Sequence, residues 1–407
     1  MTQPLSFDGP RPIRDDEWRD SERLFRICFS GEPPEFELPA EEQVNKIDEP
    51  NAEVQVICAD GRVVSQIVIV WEQLNVHEGV VQIGSIGGVS THPNYREHRL
   101  ALHLLQRCAE RLREHGAEVM LISGGRGLYT RSGNVFTGKF AEFRLEAGKF
   151  PAPSDGNTAI TEGFALRPAR KADAEACRRL YEQQPVRFSR QNSIYEGRFK
   201  GEDPEFNSEN LVIERDGEIA AYLLLHREWE DRKDPETKRR ALWEAAGSKD
   251  AILAGVSLLL EGGRVNELRF PVPWQEQEMI DAVAALTGQE MQSTALDAHT
   301  MRILNFPSML ESLRPYITAR LGEEVYRELR FEQAGPLLRD SATQVDEGRC
   351  AIVLGRERFE LDTMQMTRLV MGDPEGKLAD VEIPGWLVPI VRAIFPLPSF
   401  LPGLNYH

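Results

Sequence analysis

The sequence predicts an α/β protein with mixed α+β sheets: two tandem copies of one domain, then a third, smaller α/β domain. Three observations carry this expectation. Residues 80–129 read as strand, helix and strand. The strand, helix and hairpin signals that precede this stretch return after a Pro/Ser/Gly-containing linker at 150–158. From about residue 296 the texture changes again, to a strand-to-helix element and a hairpin of its own. The expected domains are 1–150, 160–290 and 296–407.

In chain order, Pro12-Ile13-Arg14 reads as a strand handing over to a helix that runs to Phe29. Residues 31–50 are acidic and Pro-rich, a lid over a cleft or a surface excursion. Residues 54–58 and 63–70 flank Asp60-Gly61, a strong hairpin signal because both turn residues must take positive φ. An apolar strand at 80–91 follows. The next helix carries Leu100, Leu104, Cys108 and Leu112 at four-residue intervals, so one face is buried. His115-Gly116 stops it, and 119–123 is again a strand. Phe136, Phe140, Phe143 and Leu145 suggest closing strands of this domain.

After the linker, Leu166-Arg167-Pro168 opens a strand and 172–184 a helix. A second Asp-Gly hairpin, Asp216-Gly217, lies 156 residues after the first, which suggests a duplicated domain. The helix at 251–260 has no Pro-x-x-Arg loop before it, so this copy reads as structural and without a cofactor. In the last domain, a strand-to-helix element begins at Met301, with Leu310, Leu313, Ile317 and Leu321 on its buried side. A hairpin then spans 350–361 across Gly355-Arg356, and a helix spans 364–372.

Composition excludes several classes. The formal charge of −17 argues against nucleic acid, whose binding is dominated by Lys/Arg neutralisation of phosphates. It favours cationic partners, such as small amines, through electrostatic steering. Five cysteines without a C-x-x-C pair read as reduced thiols of a cytoplasmic protein. The first residues lack the apolar core of a signal peptide. No apolar run of about 18 residues is present, so no membrane partner is expected. The eight histidines show no metal-ligand spacing, and no metal is expected.

The chemistry is expected at the ends of the strands at 80–91 and 119–123. Arg96, Glu97, His98, Arg99, Leu100, Ala101 and Leu102 span the start of the helix, where backbone N–H groups lack intrahelical partners and the dipole favours an anion such as a pyrophosphate. Val89, Ser90 and Thr91 end the strand before it, and Gly124 and Gly125 lie where the second strand empties into a turn. Taken alone, the arginines read first as ordinary solvated helix residues, and Tyr129 first as a core tyrosine covering the sheet end.

Residues 89–96 (VSTHPNYR), followed by Arg99-Leu100-Ala101, resemble the acetyl-CoA motif of the GNAT N-acetyltransferases: Val at a strand end, a Pro, then Arg/Gln-x-x-Gly-x-Gly/Ala. One departure is Arg99, where the motif has its first Gly. Residues 123–133 (SGGRGLYTRSG) resemble the enhanced-intracellular-survival (Eis) branch through Leu-Tyr-x-Arg-x-Gly. The resemblance implies two tandem GNAT-like domains, the second degenerate, and a sterol-carrier-like third. It implies acetyl-CoA as cosubstrate and acetyl transfer to a primary amine of a cationic small molecule (aminoglycoside-like or polyamine-like) or lysine, in a homo-oligomer as large as a hexamer. Val89, Ser90 and Thr91 would hold the pantetheine and polarise the thioester, residues 97–102 the pyrophosphate, and Gly124-Gly125 would border it. Tyr129 is the implied acid for the departing thiolate; a phenol's ordinary pKa of about 10 keeps it protonated at neutral pH. The terminal carboxylate of His407 is the implied base, with His92 and His98 as alternatives. A non-catalytic apolar-ligand carrier, or a scaffold with a vestigial transferase domain, is the competing reading.

Overall fold

The structure, a computed structural model, describes residues 6–44, 46–149, 160–191, 194–195, 197, 199, 201–203, 208–227, 237–288, 292–294, 299–339 and 348–405. The chain divides into two compact units, Met1–Thr137 with Ala298–Pro396, and Gly138–Asp297 with the segment after residue 396.

In the first unit the strands are β1 Phe7–Pro12, β2 Ala52–Ala59, β3 Arg62–Val76, β4 Gly79–Thr91, β5 Val119–Ser123 and β6 Val135–Phe136. Helix α1 spans Trp18–Phe25 and continues as a π-helical turn, Arg26–Ser30. Helix α2 spans Leu100–Glu114, and the short α3 spans Gly127–Arg131. The expected hairpin is the β2–β3 pair, with Asp60 and Gly61 at φ 50° and 77°. The four-residue spacing on α2 places Leu100, Leu104, Cys108 and Leu112 in the core beside Ile86, Met120 and Ile122. The helix lies so close to the sheet that a Cβ on Gly84 would meet Leu112 at 2.7 Å, which fixes a glycine there. Gly116, at φ 84°, ends the helix as predicted.

The second unit repeats this plan with β7 Phe140–Glu146, β8 Phe164–Pro168, α4 Ala174–Glu182, β9 Val186–Phe188, β10 Glu202–Asp203, β11 Ser208–Arg215, β12 Glu218–Arg227, β13 Arg239–Gly247, α5 Lys249–Glu261, β14 Glu267–Pro273, α6 Gln277–Thr287 and β15 Gln292–Thr294. The second Asp-Gly turn joins β11 to β12 at φ 53° and 84°. A side-chain motif also recurs. Arg11 donates to Glu17, whose carboxylate accepts the Arg14 N–H; Arg167 donates to Asp173, whose carboxylate accepts the Arg170 N–H. All three residues of the second set stand 156 positions after their counterparts, the same offset as the two Asp-Gly turns. In each set the arginine hydrogen bond holds the carboxyl below its ordinary pKa.

Two strands depart from the sequence expectation. Phe140–Glu146 does not close the first sheet: β7 pairs antiparallel with β14 in the second. In the first sheet the strand beside β5 is β16, His299–Ile303, paired with β5 on one side and β6 on the other. The first sheet thus runs β1-β2-β3-β4-β5-β16-β6 and the second β10-β11-β12-β13-β14-β7-β15. An apolar strand needs two neighbours and a covered face, but its sequence does not say which sheet provides them.

After β16 come α7 Phe306–Ser312, α8 Arg314–Leu321, α9 Glu323–Glu328, the antiparallel sheet β17 Leu329–Ala334, β18 Arg349–Leu354 and β19 Glu357–Asp362, then α10 Thr363–Met371 and α11 Val388–Ile394. The predicted long helix breaks at Leu313, between α7 and α8, with Pro315 near the start of the second. Leu310, Leu313 and Ile317 are buried as expected.

Candidate active site

The site is built where two parallel strands part. β4 and β5 pair only from Ile83–Val119 to Ile86–Ile122. Beyond that, β4 stays paired with β3 alone, and the β3–β4 register slips so that Gly88 and Val89 face no partner across the ladder. This bulge (Gly88 has φ 58°) bends the strand away from β5. The expected splay at Val89, Ser90 and Thr91 therefore begins a few residues earlier. The Ser90 hydroxyl donates to Gly88 O at 2.8 Å, and its carbonyl accepts from Ser65 Oγ at 3.0 Å. Val89 packs beside the α2 core.

A two-turn 3-10 helix, Pro93–His98, carries the chain from β4 to α2. Arg99 joins the two with φ 56° and ψ 21°, the left-handed conformation. Here lies the reason that glycine suits this place in the motif: a side chain costs on the order of 1 kcal/mol in that region. The Leu102 and His103 N–H groups both turn to Arg99 O, at 3.1 and 3.2 Å. Those of Leu100 and Ala101 have no acceptor among the described residues, and no side chain caps α2. Arg96, Glu97, His98 and Arg99 are exposed around them. Arg96 reaches back to Thr91 O at 3.4 Å. Bare amides, a helix dipole and two exposed guanidiniums make this helix start favourable to negative charge.

Across the gap, Ser123 leads into Gly124-Gly125-Arg126 and α3. Gly124 has φ 155°, and a Cβ there would sit 3.1 Å from Tyr129 Cε2; one on Gly125 would overlap the Phe136 ring. A side chain at either position would have to displace one of these rings. Tyr129, 5% exposed, stands at the middle of α3 and joins the core cluster that contains Leu100 and Ile122. Its carbonyl accepts from the Asn134 N–H at 3.1 Å and from Asn134 Nδ2 at 3.2 Å. The buried Arg302 of β16 donates to Gly133 O at 3.0 Å, bracing the same turn. Arg302 carried no signal in the sequence, because the contact depends on β16 lying beside β5.

The structure narrows the expected bases. His92 is buried; its Nδ1 accepts from the Asn94 N–H at 3.3 Å, which leaves Nε2 to donate to Pro34 O at 3.0 Å. One ring nitrogen caps the 3-10 turn and the other holds the 31–50 segment, so both are engaged. His98 is exposed beside Phe7 and Tyr95. His407 lies outside the described residues. Among the described residues, no group of His, Cys, Asp and Glu could hold a metal ion, and no helix is long and apolar enough to cross a membrane.

Residues 9–133, which contain all of these elements up to Gly133, match the family described as Acetyltransferase (GNAT) domain. The first unit carries a GNAT acetyltransferase domain. The chain is accordingly an N-acetyltransferase, and acetyl-CoA is the donor that such a domain uses. No curated protein matches the sequence. Solved structures match the fold over nearly its full length. A conserved protein of unknown function from Enterococcus faecalis V583, titled a probable N-acyltransferase, superposes with a TM-score of 0.65 at 12% identity, covering 98% of this chain and 99% of that one. A GCN5-related N-acetyltransferase from Kribbella flavida gives 0.60 at 15%, covering 98% and 99%. Eis1 from Mycobacterium abscessus gives 0.57 at 14%, covering 97% of each. The acetyltransferase domain thus sits in a chain whose whole fold is shared with these proteins.

Proposed function

We propose that the protein transfers an acetyl group from acetyl-CoA to a primary amine of a small cationic molecule, aminoglycoside-like or polyamine-like, or of a lysine. The observation that carries the donor half is the parting of β4 from β5 beside the uncapped Leu100 and Ala101 amides. When bound, acetyl-CoA supplies an activated thioester. Residues 97–102, with Arg96 and Arg99, would hold its diphosphate. Val89, Ser90 and Thr91 would hold the pantetheine arm, and Gly124-Gly125 would leave room for it. The amine nitrogen forms the new amide bond as the carbon–sulfur bond breaks. Tyr129 gives its proton to the departing sulfur, and the His407 carboxylate takes the proton shed by the nitrogen. The acceptor half rests on the acidic balance of −17 and on segment 31–50, which His92 ties to the mouth of the gap through Pro34 O.

We read the α7–α11 region with its three-stranded sheet as sterol-carrier-like, and the protein as a cytoplasmic homo-oligomer, for which light scattering is the direct measurement. The reaction is tested by mixing protein, acetyl-CoA and a panel of polyamines, aminoglycosides and lysine peptides and following free thiol. Release with at least one amine, lost in Tyr129→Phe, supports the proposal; no release above background from any amine overturns it.

A further inference from the structure

The second unit parts its strands in the same way. β13 and β14 pair only from Arg239–Glu267 to Ala241–Arg269, and β13 then slips its register against β12 between Leu242 and Glu244. Here the gap is filled by residues 397–405. At the β14 end, Ser399 is gripped on both main-chain groups by Gln275: its N–H donates to Oε1 at 3.1 Å and its carbonyl accepts from Nε2 at 2.7 Å. Its hydroxyl accepts the Lys139 N–H at 2.9 Å. Phe400 meets the Phe188 ring edge-on at 5.6 Å. At the β13 side, the Leu404 N–H donates to Glu244 Oε2 at 3.3 Å, and Asn405 Oδ1 accepts from Arg190 Nε at 2.5 Å. Gly403, at φ 56°, lies so close that any Cβ would overlap the Glu244 carboxylate.

The groups that read this segment are buried and charged. Arg190 and Glu244 form a two-pronged pair at 2.5 and 2.8 Å, with side chains 1% and 4% exposed. Tyr222 donates to Glu244 at 2.5 Å, and the guanidinium lies 3.7 Å over the Tyr181 ring. Burying such a pair costs desolvation that apolar residues of similar size would avoid, and here both members are also bonded to the segment, Arg190 to Asn405 and Glu244 to Leu404. It offers one acceptor and one donor, and the segment supplies the matching N–H and side-chain oxygen.

We propose that the parted strands of the second unit are a peptide-binding site, occupied by residues 397–405 of the same chain and read by Arg190 and Glu244. Its ligand class is a short Pro-containing apolar segment with a glycine at the Glu244 contact. The inference does not depend on the reaction assigned to the first unit. It is tested on the full chain by hydrogen exchange across 397–405 and by binding of a labelled synthetic peptide of residues 397–407. In the native chain the segment should be protected and the peptide should not bind. Gly403→Val, which displaces the segment, should speed its exchange at least tenfold and open the site to the added peptide. Combining it with Glu244→Ala should abolish that binding. Acetyl-CoA binding by the first unit reports whether each variant is folded. Should Gly403→Val not fold, Ser399→Ala with Asn405→Ala gives the milder form of the same test. Free-peptide exchange rates in the native chain, unchanged protection in the displaced variants, or equal peptide binding by native and variant chains would each overturn the proposal.

Discussion

The two units share a sheet plan, an Asp-Gly hairpin each and an Arg–carboxylate motif, yet among the described residues their helices start differently beside the parted strands. The difference lies in a few residues at the start of one helix. In the first unit His92, six residues of 3-10 helix and Arg99 stand between β4 and α2, and the leading amides of α2 are uncapped. In the second, β13 runs through Gly247 directly to Ser248, whose hydroxyl accepts the Ala251 N–H at 3.2 Å and closes the start of α5. Residues 397–405 then occupy the gap between the strands. The same sheet plan thus accommodates two helix starts: one reached through a 3-10 turn and left uncapped, the other reached directly and capped by Ser248.

Changing Tyr129 to Phe should have the largest effect and tests whether the first unit's gap is catalytic. Thiol release should fall by about 100-fold or more, with acetyl-CoA affinity by calorimetry unchanged; an unaltered rate would leave the two gaps alike in chemistry. Next, Arg11→Met and Arg167→Met should each cost about 2 kcal/mol in denaturant unfolding, the scale of a lost charged hydrogen bond. Glu17 and Asp173 titrate lower in the folded chain because of these arginines. Their contribution is present above the ordinary carboxylate pKa and fades as pH falls through the folded one. Each arginine variant should therefore lose less stability on acidification than the native chain, and similar losses in both would confirm that the motif serves the sheet alone. A smaller effect is expected of Arg99→Gly, which relieves the positive φ and should raise stability by up to about 1 kcal/mol; calorimetry would show whether acetyl-CoA binds more or less tightly without the guanidinium. Ser248→Ala should cost about 1 kcal/mol and leave acetyl-CoA stoichiometry at one per chain. A second binding event would mean that the cap alone had closed the second unit.

Much of this was legible in local signals. The hairpins announce themselves because Asp-Gly is among the few pairs that accept two positive φ angles in succession. The spacing of Leu100, Leu104, Cys108 and Leu112 fixed the buried face of α2, and the run from Val89 to Ala101 pointed to the helix start. What stayed hidden was nonlocal. Nothing in Phe140–Glu146 or His299–Ile303 states which sheet either strand joins, so the bracing of the Tyr129 turn by Arg302 could not be foreseen. Residues 397–405 have no periodicity to interpret, and their partners lie more than a hundred positions upstream. One signal was available and unused: Arg11, Arg14 and Glu17 against Arg167, Arg170 and Asp173, at the offset the hairpins had already given.

The placement of β16 has a consequence for biosynthesis. As the polypeptide leaves the ribosome, everything through β6 emerges early, but the strand that sits between β5 and β6 is translated only after the entire β7–β15 stretch. Until then β5 presents an unsatisfied edge, an invitation to mispairing. Nascent chains should gain protease resistance in the amino-terminal half late, once residue 303 has cleared the exit tunnel, and a fragment ending at residue 150 should be aggregation-prone however intact its catalytic motifs.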